Sequence, residues 1–519
     1  MKEVPISGIP AAPDPKAPIP RQIRYIIGNE GCERFSFYGM RNILTVYLSM
    51  SLFAYLPPEA RGPAAKEIFH TFVIGVYFFP LLGGWLADRF FGKYNTIFWL
   101  SLVYCLGQAC LAFFVTNQHG FYIGLSLIAL GSGGIKPCVA AFVGDQFDQT
   151  NKHRAKVVFD AFYWIINFGS LFASALMPIF LKELGPAIAF GIPGVLMFVS
   201  TFVLWLARKQ YVMVPPSPRN PHSFLNVCRT ALASGVTGWM FSGIGVMAAI
   251  ASFVFIPKLG FVIAACLALV AVIGFGGIGV ALQLERARGK HPDDAIDGVR
   301  AVLRVLVLFA LVTPFWSLFD QKASTWVLQA DAMAKPSWFQ SSQMQALNPA
   351  LVMILIPFNN LVLYPFLKRF GFEMTALRRM TIGIALAGVS WIAVGVMQVV
   401  LDGGNAFSIT WQVLPYAFLT LGEVLVSATG LEFAYSQAPM AMKGALMSFW
   451  NLSVTIGNLW VLVVNAGVKN DAVIDFIKSS GFGLTAFQMF FFALFAFAAA
   501  LAFGLVARSY PVADHYRQA

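Results

Sequence analysis

Eight ionisable residues fall inside stretches otherwise fit for a lipid bilayer: Glu30, Glu33, Arg34, Arg41, Lys136, Asp320, Lys322 and Glu423. A charge at a helix centre costs roughly 2.5–3.5 kcal/mol on insertion scales, so the set costs on the order of 20 kcal/mol before any pairing. Charges kept at that cost face a polar cavity and bind or carry ions. Ion pairs that merely fix helix packing are the plainer reading, and for a set this large the weaker one.

Half of the set sits in one stretch, "NEGCERFSFYGMRN", from Asn29 to Asn42. At 100° per residue, Glu30, Glu33, Arg34, Phe37, Tyr38 and Arg41 fall within about 140° of arc, so the charges share one helix face. Glu30 and Arg34 are four residues apart and can pair. Two carboxylates three residues apart repel when both are ionised, which makes one of them a candidate proton carrier. An incoming carboxylate that drew the Arg away would change the proton occupancy of the Glu, so binding and protonation would be linked.

Lys136 lies in "GSGGIKPCVAAFVGDQF" (Gly131 to Phe147). The clustered Gly residues allow close helix contact, and Pro137 is expected to disturb the helix just after the Lys. A phosphate loop is excluded, because Pro rather than Ser or Thr follows Lys136 in an apolar segment. "GFGGIG" (Gly274 to Gly279) matches a dinucleotide-binding pattern, but it has no strand before it and is assigned to helix packing. "TPFWSLFDQKASTWVLQA" (Thr313 to Ala330) carries Asp320, the natural partner for Lys136 or Arg41, with Trp316 one turn earlier on nearly the same face. "GEVLVSATGLEFAYSQAP" (Gly422 to Pro439) carries Glu423, deep in an apolar run. Asn167 and Asn348 add neutral hydrogen-bonders, each alone more often interhelical glue than ligand. His70, a lone His near the outer end of its span, reads first as a satisfied polar residue and second as a group able to titrate.

These residues need a scaffold, and the composition supplies it. The chain has 519 residues, 58% hydrophobic and 12% charged, with a mean hydropathy of +0.71; soluble proteins average about a quarter charged residues. Apolar runs of helix-spanning length recur. They predict fourteen spans, at 27–53, 67–89, 94–116, 120–143, 157–181, 187–207, 236–256, 260–284, 300–329, 345–368, 377–401, 410–436, 441–467 and 483–508. The net charge of +12 could signal nucleic-acid binding. The positives sit instead in short loops: 25 of the 36 Lys and Arg fall on the side of the termini and seven, Lys66 among them, on the other. That bias places both termini in the cytoplasm and excludes a nucleic-acid partner. "MKEVPISGIPAAPDPKAPIP" reads as a Pro-rich leader, not a signal peptide. The six Cys lack metal or disulfide spacing and are expected to be free thiols.

The plan is therefore an all-α membrane protein with 14 transmembrane helices arranged as 6+2+6. It comprises a cytoplasmic leader (1–26), an N-terminal six-helix bundle (27–207), a linker with two inserted helices (208–299), a C-terminal six-helix bundle (300–510) and a cytoplasmic tail (511–519). "GGWLADRFFGKY" (Gly83 to Tyr94) suits a cytoplasmic latch between spans. Six-plus-six bundles are a transporter architecture with the substrate at the midplane.

Taken in order, the ExxERFxxYG stretch, "GSGGIKP", "FYWIINFGS" and "YSQAPMAMKG" resemble the proton-coupled oligopeptide transporter family of the major facilitator superfamily, in its bacterial form. The resemblance runs from Glu30 to about Trp450. It implies the major facilitator fold and alternating-access symport of di- and tripeptides with protons across a bacterial inner membrane. The proton gradient is the drive, no cofactor or metal is needed, and a monomer suffices. It implies that Arg41 and Lys136 bind the peptide carboxylate and Glu423 the amino terminus. Tyr38, Tyr77, Asn167 and Asn348 would contact backbone or carboxylate, and Trp316 and Trp450 would line side-chain pockets. Glu30, Glu33 and Arg34 would couple protons, Asp320 would pair with Lys136 or Arg41 to gate the outer side, and His70 matches a His of animal members. The chain departs from the family at Phe37, where many members carry Tyr, and at Lys322, where Gln is common.

The chemistry agrees with that implication. A carrier for short peptides needs a cation for one end, an anion for the other, amide hydrogen-bonders between and roomy aromatic pockets; all four are present. A related carrier for nitrate or another small anion would use Arg41 and Lys136 without Glu423. A receptor or structural protein would not need the buried charges, and a membrane enzyme would need a nucleophile–base pair or metal cluster that the sequence lacks.

Overall fold

The structure is a computed structural model that describes residues 18–148, 150–151, 154–216, 220–437 and 442–511. Residues 1–17 of the expected leader, 512–519 of the expected tail and 438–441 of the "YSQAPMAMKG" stretch lie outside the described residues.

The described residues form helices and no strand. In chain order these are α1 (Ile23–Tyr47), α2 (Pro58–Leu86), α3 (Lys93–Phe113), α4 (Gln118–Gly144), α5 (Ala155–Leu184), α6 (Pro186–Leu206), α7 (Phe224–Ala233), α8 (Val236–Phe253), α9 (Ile256–Leu259) and α10 (Phe261–Gln283). Then come α11 (Asp293–Asp320), α12 (Thr325–Ala332), α13 (Leu347–Phe358), α14 (Tyr364–Arg369), α15 (Ala376–Asp402), α16 (Val413–Glu423), α17 (Thr429–Gln437), α18 (Lys443–Gly467), α19 (Asp471–Ser479) and α20 (Leu484–Ser509). Among the described residues, 13 helical stretches are long and apolar enough to cross a membrane, and they coincide with the second to fourteenth expected spans. The first expected span is α1, 25 residues continued by the π-helical turn Leu48–Leu52. It is long enough to cross, and it is set apart by its five charges, Arg24, Glu30, Glu33, Arg34 and Arg41.

Local chemistry sets several boundaries. The Asn117 side chain accepts from the Gly120 amide and caps the start of α4. Gly92 (φ 74°) and Gly185 (φ 80°) turn the chain between helices in the left-handed region that side chains disfavour. Pro186 follows at the first position of α6, where its missing N–H costs nothing. Pro137 does not end α4, which runs on to Gly144; its ring packs on Gly84, where a side chain is absent. Likewise α2 starts at Pro58, before the expected 67, and continues through Pro63 and Pro80.

Two compact units emerge. One holds the described residues of Met1–Met40 and Leu82–Pro218, the other those of Arg41–Leu81 and Arg219–Ala519. In the first, α3 packs on α4 and on α6, and α5 on α6. Gly83 meets the Gly133–Gly134 backbone without a side chain between them, the close approach that small residues permit in membranes. In the second, α11 packs on α18 and α20, α15 on α16 and α20, and α8 on α10. One apolar core joins α11, α15, α16, α18 and α20 around Phe315, Trp326, Trp391, Tyr416 and Phe492. All six Cys are free.

Candidate functional site

In the first unit, Arg34 lies between two acids. Its Nε is 2.7 Å from Glu30 Oε1 and 2.7 Å from Glu33 Oε2. Only the Glu30 contact has hydrogen-bond geometry, and Glu33 is fully buried with neither oxygen hydrogen-bonded among the described residues. One guanidinium thus serves two carboxylates, a composition in which adding or removing a single proton changes the local balance. Gly169 of α5 lets that helix approach the α1 backbone at Gly31 and the Arg34 side chain.

One turn on, Phe37 is buried and the Lys136 ammonium stands 4.3 Å from its ring centroid. The position that lacks a hydroxyl thus offers an aromatic face to a cation. Tyr38 meets Phe37 edge-on at 5.4 Å. Asn167 is buried and donates to the Tyr163 carbonyl at 3.0 Å. At the latch, the π-helical turn Ala87–Phe91 precedes Gly92, and Lys93 pairs with Asp145 at 2.7 Å.

The second unit carries a longer chain of bonds. Asp320 ends α11, and the chain passes through a tight turn, Gln321–Ala323, before α12 begins at Thr325. Irregular backbone at membrane depth is tolerated where it is buried in protein or lines a cavity. Arg41 Nη2 donates to Asp320 Oδ1 at 2.6 Å. Asn458 Nδ2 donates to Asp320 Oδ2 at 2.8 Å. Its amide oxygen must then accept, so His70 Nδ1–H donates to Asn458 Oδ1 at 2.6 Å. His70 Nε2 is 2.9 Å from Ser324 Oγ. His70 is wholly buried, inside a hydrogen-bonded chain that ends at Arg41.

A second chain runs beside it. Lys322 Nζ donates to Asn348 Oδ1 at 2.7 Å. Asn348 Nδ2 donates to Thr420 Oγ1 at 3.1 Å and to Glu423 Oε2. Glu423 stands at the end of α16, directly before the π-helical turn Val424–Ala428, a distortion often found at functional sites. Trp316 and Trp450 meet edge-to-face at 5.7 Å, and the Trp316 indole N–H has no partner among the described residues. Tyr77 packs against the same core.

Sequence reasoning passed over Asn458, Ser324 and Thr420, single neutral residues in apolar runs. It also put Lys66 in an outer loop. Lys66 lies in α2, 7% exposed, one turn before His70.

Residues 94–478 match the family model described as PTR2, the POT family. Solute carrier family 15 member 1 of Oryctolagus cuniculus is 34% identical over 411 residues, which cover 74% of this chain and 52% of that protein. Peptide transporter family 2 of Caenorhabditis elegans is 34% identical over 411 residues, covering 74% and 48%. The chain spans about half the length of these curated relatives. The crystal structure of the POT family transporter PepTSo is 64% identical, with a TM-score of 0.94, covering 96% of this chain and all of that one. That of an auto-inhibited POT family peptide transporter is 63% identical at the same TM-score, covering 96% and 99%.

Proposed function

The chain belongs to the POT family, and we propose that it carries di- and tripeptides into the cell together with protons, by alternating access. The bonded set Lys322–Asn348–Glu423 beside Arg41–Asp320 carries this reading, because it holds an anion, an amide and a cation in one buried environment. A zwitterionic peptide presents the complementary groups. Glu423 takes the amino terminus and Arg41 and Lys136 take the carboxylate. Tyr38, Tyr77, Asn167 and Asn348 meet the backbone, and Trp316 and Trp450 bound the side-chain space. Glu30, Glu33 and Arg34 exchange the proton, with Asp320 and His70 responding at the outer side.

The drive is the proton gradient. One charge moved through 100 mV is worth about 2.3 kcal/mol, roughly fiftyfold accumulation when each 1.4 kcal/mol is tenfold. Peptide transporters among the curated relatives support the substrate class. The charge bias of the loops supports cytoplasmic termini, and the resemblance to the bacterial form of the family supports the inner membrane of a bacterium as its location. The domains then run as leader 1–26, bundle 27–207, linker 208–299, bundle 300–510 and tail 511–519, in a working monomer.

Uptake of labelled dipeptide into proteoliposomes tests the proposal. Acid outside should stimulate entry against a gradient; entry indifferent to external acid overturns it. Nitrate displacing dipeptide would point to the anion carrier instead.

A further inference from the structure

The Asn348 amide is oriented by its neighbours. Its oxygen accepts from the Lys322 ammonium at 2.7 Å, and its nitrogen donates to Glu423 Oε2 and Thr420 Oγ1. Cation, amide and carboxylate are thus bonded in series, with the amide oxygen towards the cation and its nitrogen towards the carboxylate. Lys322 is buried, whereas Asn348 and Glu423 are half-buried. The second carboxylate oxygen of Glu423 takes no hydrogen bond among the described residues. An ammonium arriving there would meet one open acceptor, on Glu423, and one already taken, the Asn348 oxygen.

Resting on the peptide-transport reading, we propose that Lys322 is an internal occupant of the amine site, and that a peptide's α-ammonium binds by displacing it from Asn348. The displaced charge has somewhere to go. The Lys322 ammonium already lies 3.3 Å from the Phe319 ring centroid, an aromatic face that holds a cation without using an acceptor. Losing Asn348 therefore does not strand a bare charge in the interior, which would oppose binding strongly. A peptide with a blocked amine has no ammonium to place, and its affinity does not depend on evicting Lys322. Lys322 accordingly narrows the preference for free-amine peptides that Glu423 alone would give. It acts through Asn348 and Glu423, as a specificity-setting residue.

The test compares a dipeptide and its N-acetylated form as ligands of the unaltered protein, Lys322→Gln and Lys322→Arg, by calorimetry in detergent. The unaltered protein should prefer the free amine by less than about tenfold. Lys322→Gln should tighten the free-amine dipeptide about tenfold, equal to 1.4 kcal/mol, and leave the acetylated one unchanged or weaker. Lys322→Arg should behave as the unaltered protein. An unchanged ratio in Lys322→Gln, or equal weakening of both ligands, overturns the inference. Should Lys322→Gln not fold, the unaltered protein still decides, since a preference above about hundredfold is incompatible with a resident competitor. Failure of the unaltered protein to bind either ligand would instead overturn the peptide reading beneath it.

Discussion

Arg41 and Asp320 are 279 positions apart in the chain and 2.6 Å apart in space. Both are buried, and Asp320 spends its second oxygen on Asn458, which in turn holds His70. Removing one member of a buried pair leaves an uncompensated charge, at a cost of about 3–5 kcal/mol, whereas replacing both by apolar groups can be close to neutral. Asp320→Ala should therefore lower the melting temperature in detergent more than the double change Arg41→Met with Asp320→Leu. A double variant at least as unstable as the single one would show that the pair itself holds the fold.

Much of this site can be read from residue types alone. Charges in apolar runs stand out because membrane insertion is costly, and helical spacing puts the first four on one face. Partnership is a different matter. Asp320 had two candidate cations, and sequence contains no term that brings residue 41 to residue 320. Asn458 and Ser324 carry no charge and no periodic signal, so nothing marks them until His70 is seen between them. The early start of α2 was hidden for a local reason. "PPEARGPAAKE" is charged and Pro-rich and reads as a loop, yet Pro58 at the first helical position loses no bond that would have formed, and the helix runs on through Pro63 at the cost of one.

The Glu30–Arg34–Glu33 group makes the second prediction. Glu33 lacks a hydrogen bond among the described residues, while Glu30 has one from Arg34. Glu33→Gln removes a protonatable group and preserves shape. Proton-driven accumulation of dipeptide should be lost, and counterflow exchange at equal pH on both sides should persist. Retained accumulation under an inward proton gradient would take Glu33 out of the coupling. Arg34→Lys keeps the charge but not the Nε that stands 2.7 Å from both carboxylates, and should impair coupling as well.

Two glycines separate packing from mere flexibility. A Cβ at Gly83 would run into the Gly133 carbonyl, backbone that cannot swing aside. Gly274 has nothing within 4 Å. Gly83→Ala should cost about 1–3 kcal/mol, the range for overpacking. Gly274→Ala should leave the melting temperature level or slightly raised, since Ala is the better helix former. Equal effects at both positions would mean that helix propensity, not contact, governs them.

The last prediction concerns two imidazoles outside the spans. Thr230 gives its hydroxyl hydrogen to the Asn226 carbonyl, so towards His291 Nε2, at 2.8 Å, it accepts. His291 therefore carries its hydrogen on Nε2, and its Nδ1 lone pair faces His222 Nδ1 at 3.0 Å. Partial burial, then the neighbouring His222 and Lys290, hold the His291 pKa below its usual value of 6.5. A depressed pKa in a base means that the unfolded chain binds the proton more readily. The contribution of His291 to stability is thus intact above about pH 6.5 and is lost as the pH falls through that value towards the folded pKa. The melting temperature of the unaltered protein should fall further between pH 7.5 and 5.5 than that of His291→Gln. The difference should be small, on the order of 1 °C, because the site is open to solvent. A steeper acid loss in His291→Gln would reverse the sign and mean that the imidazole is held as a cation.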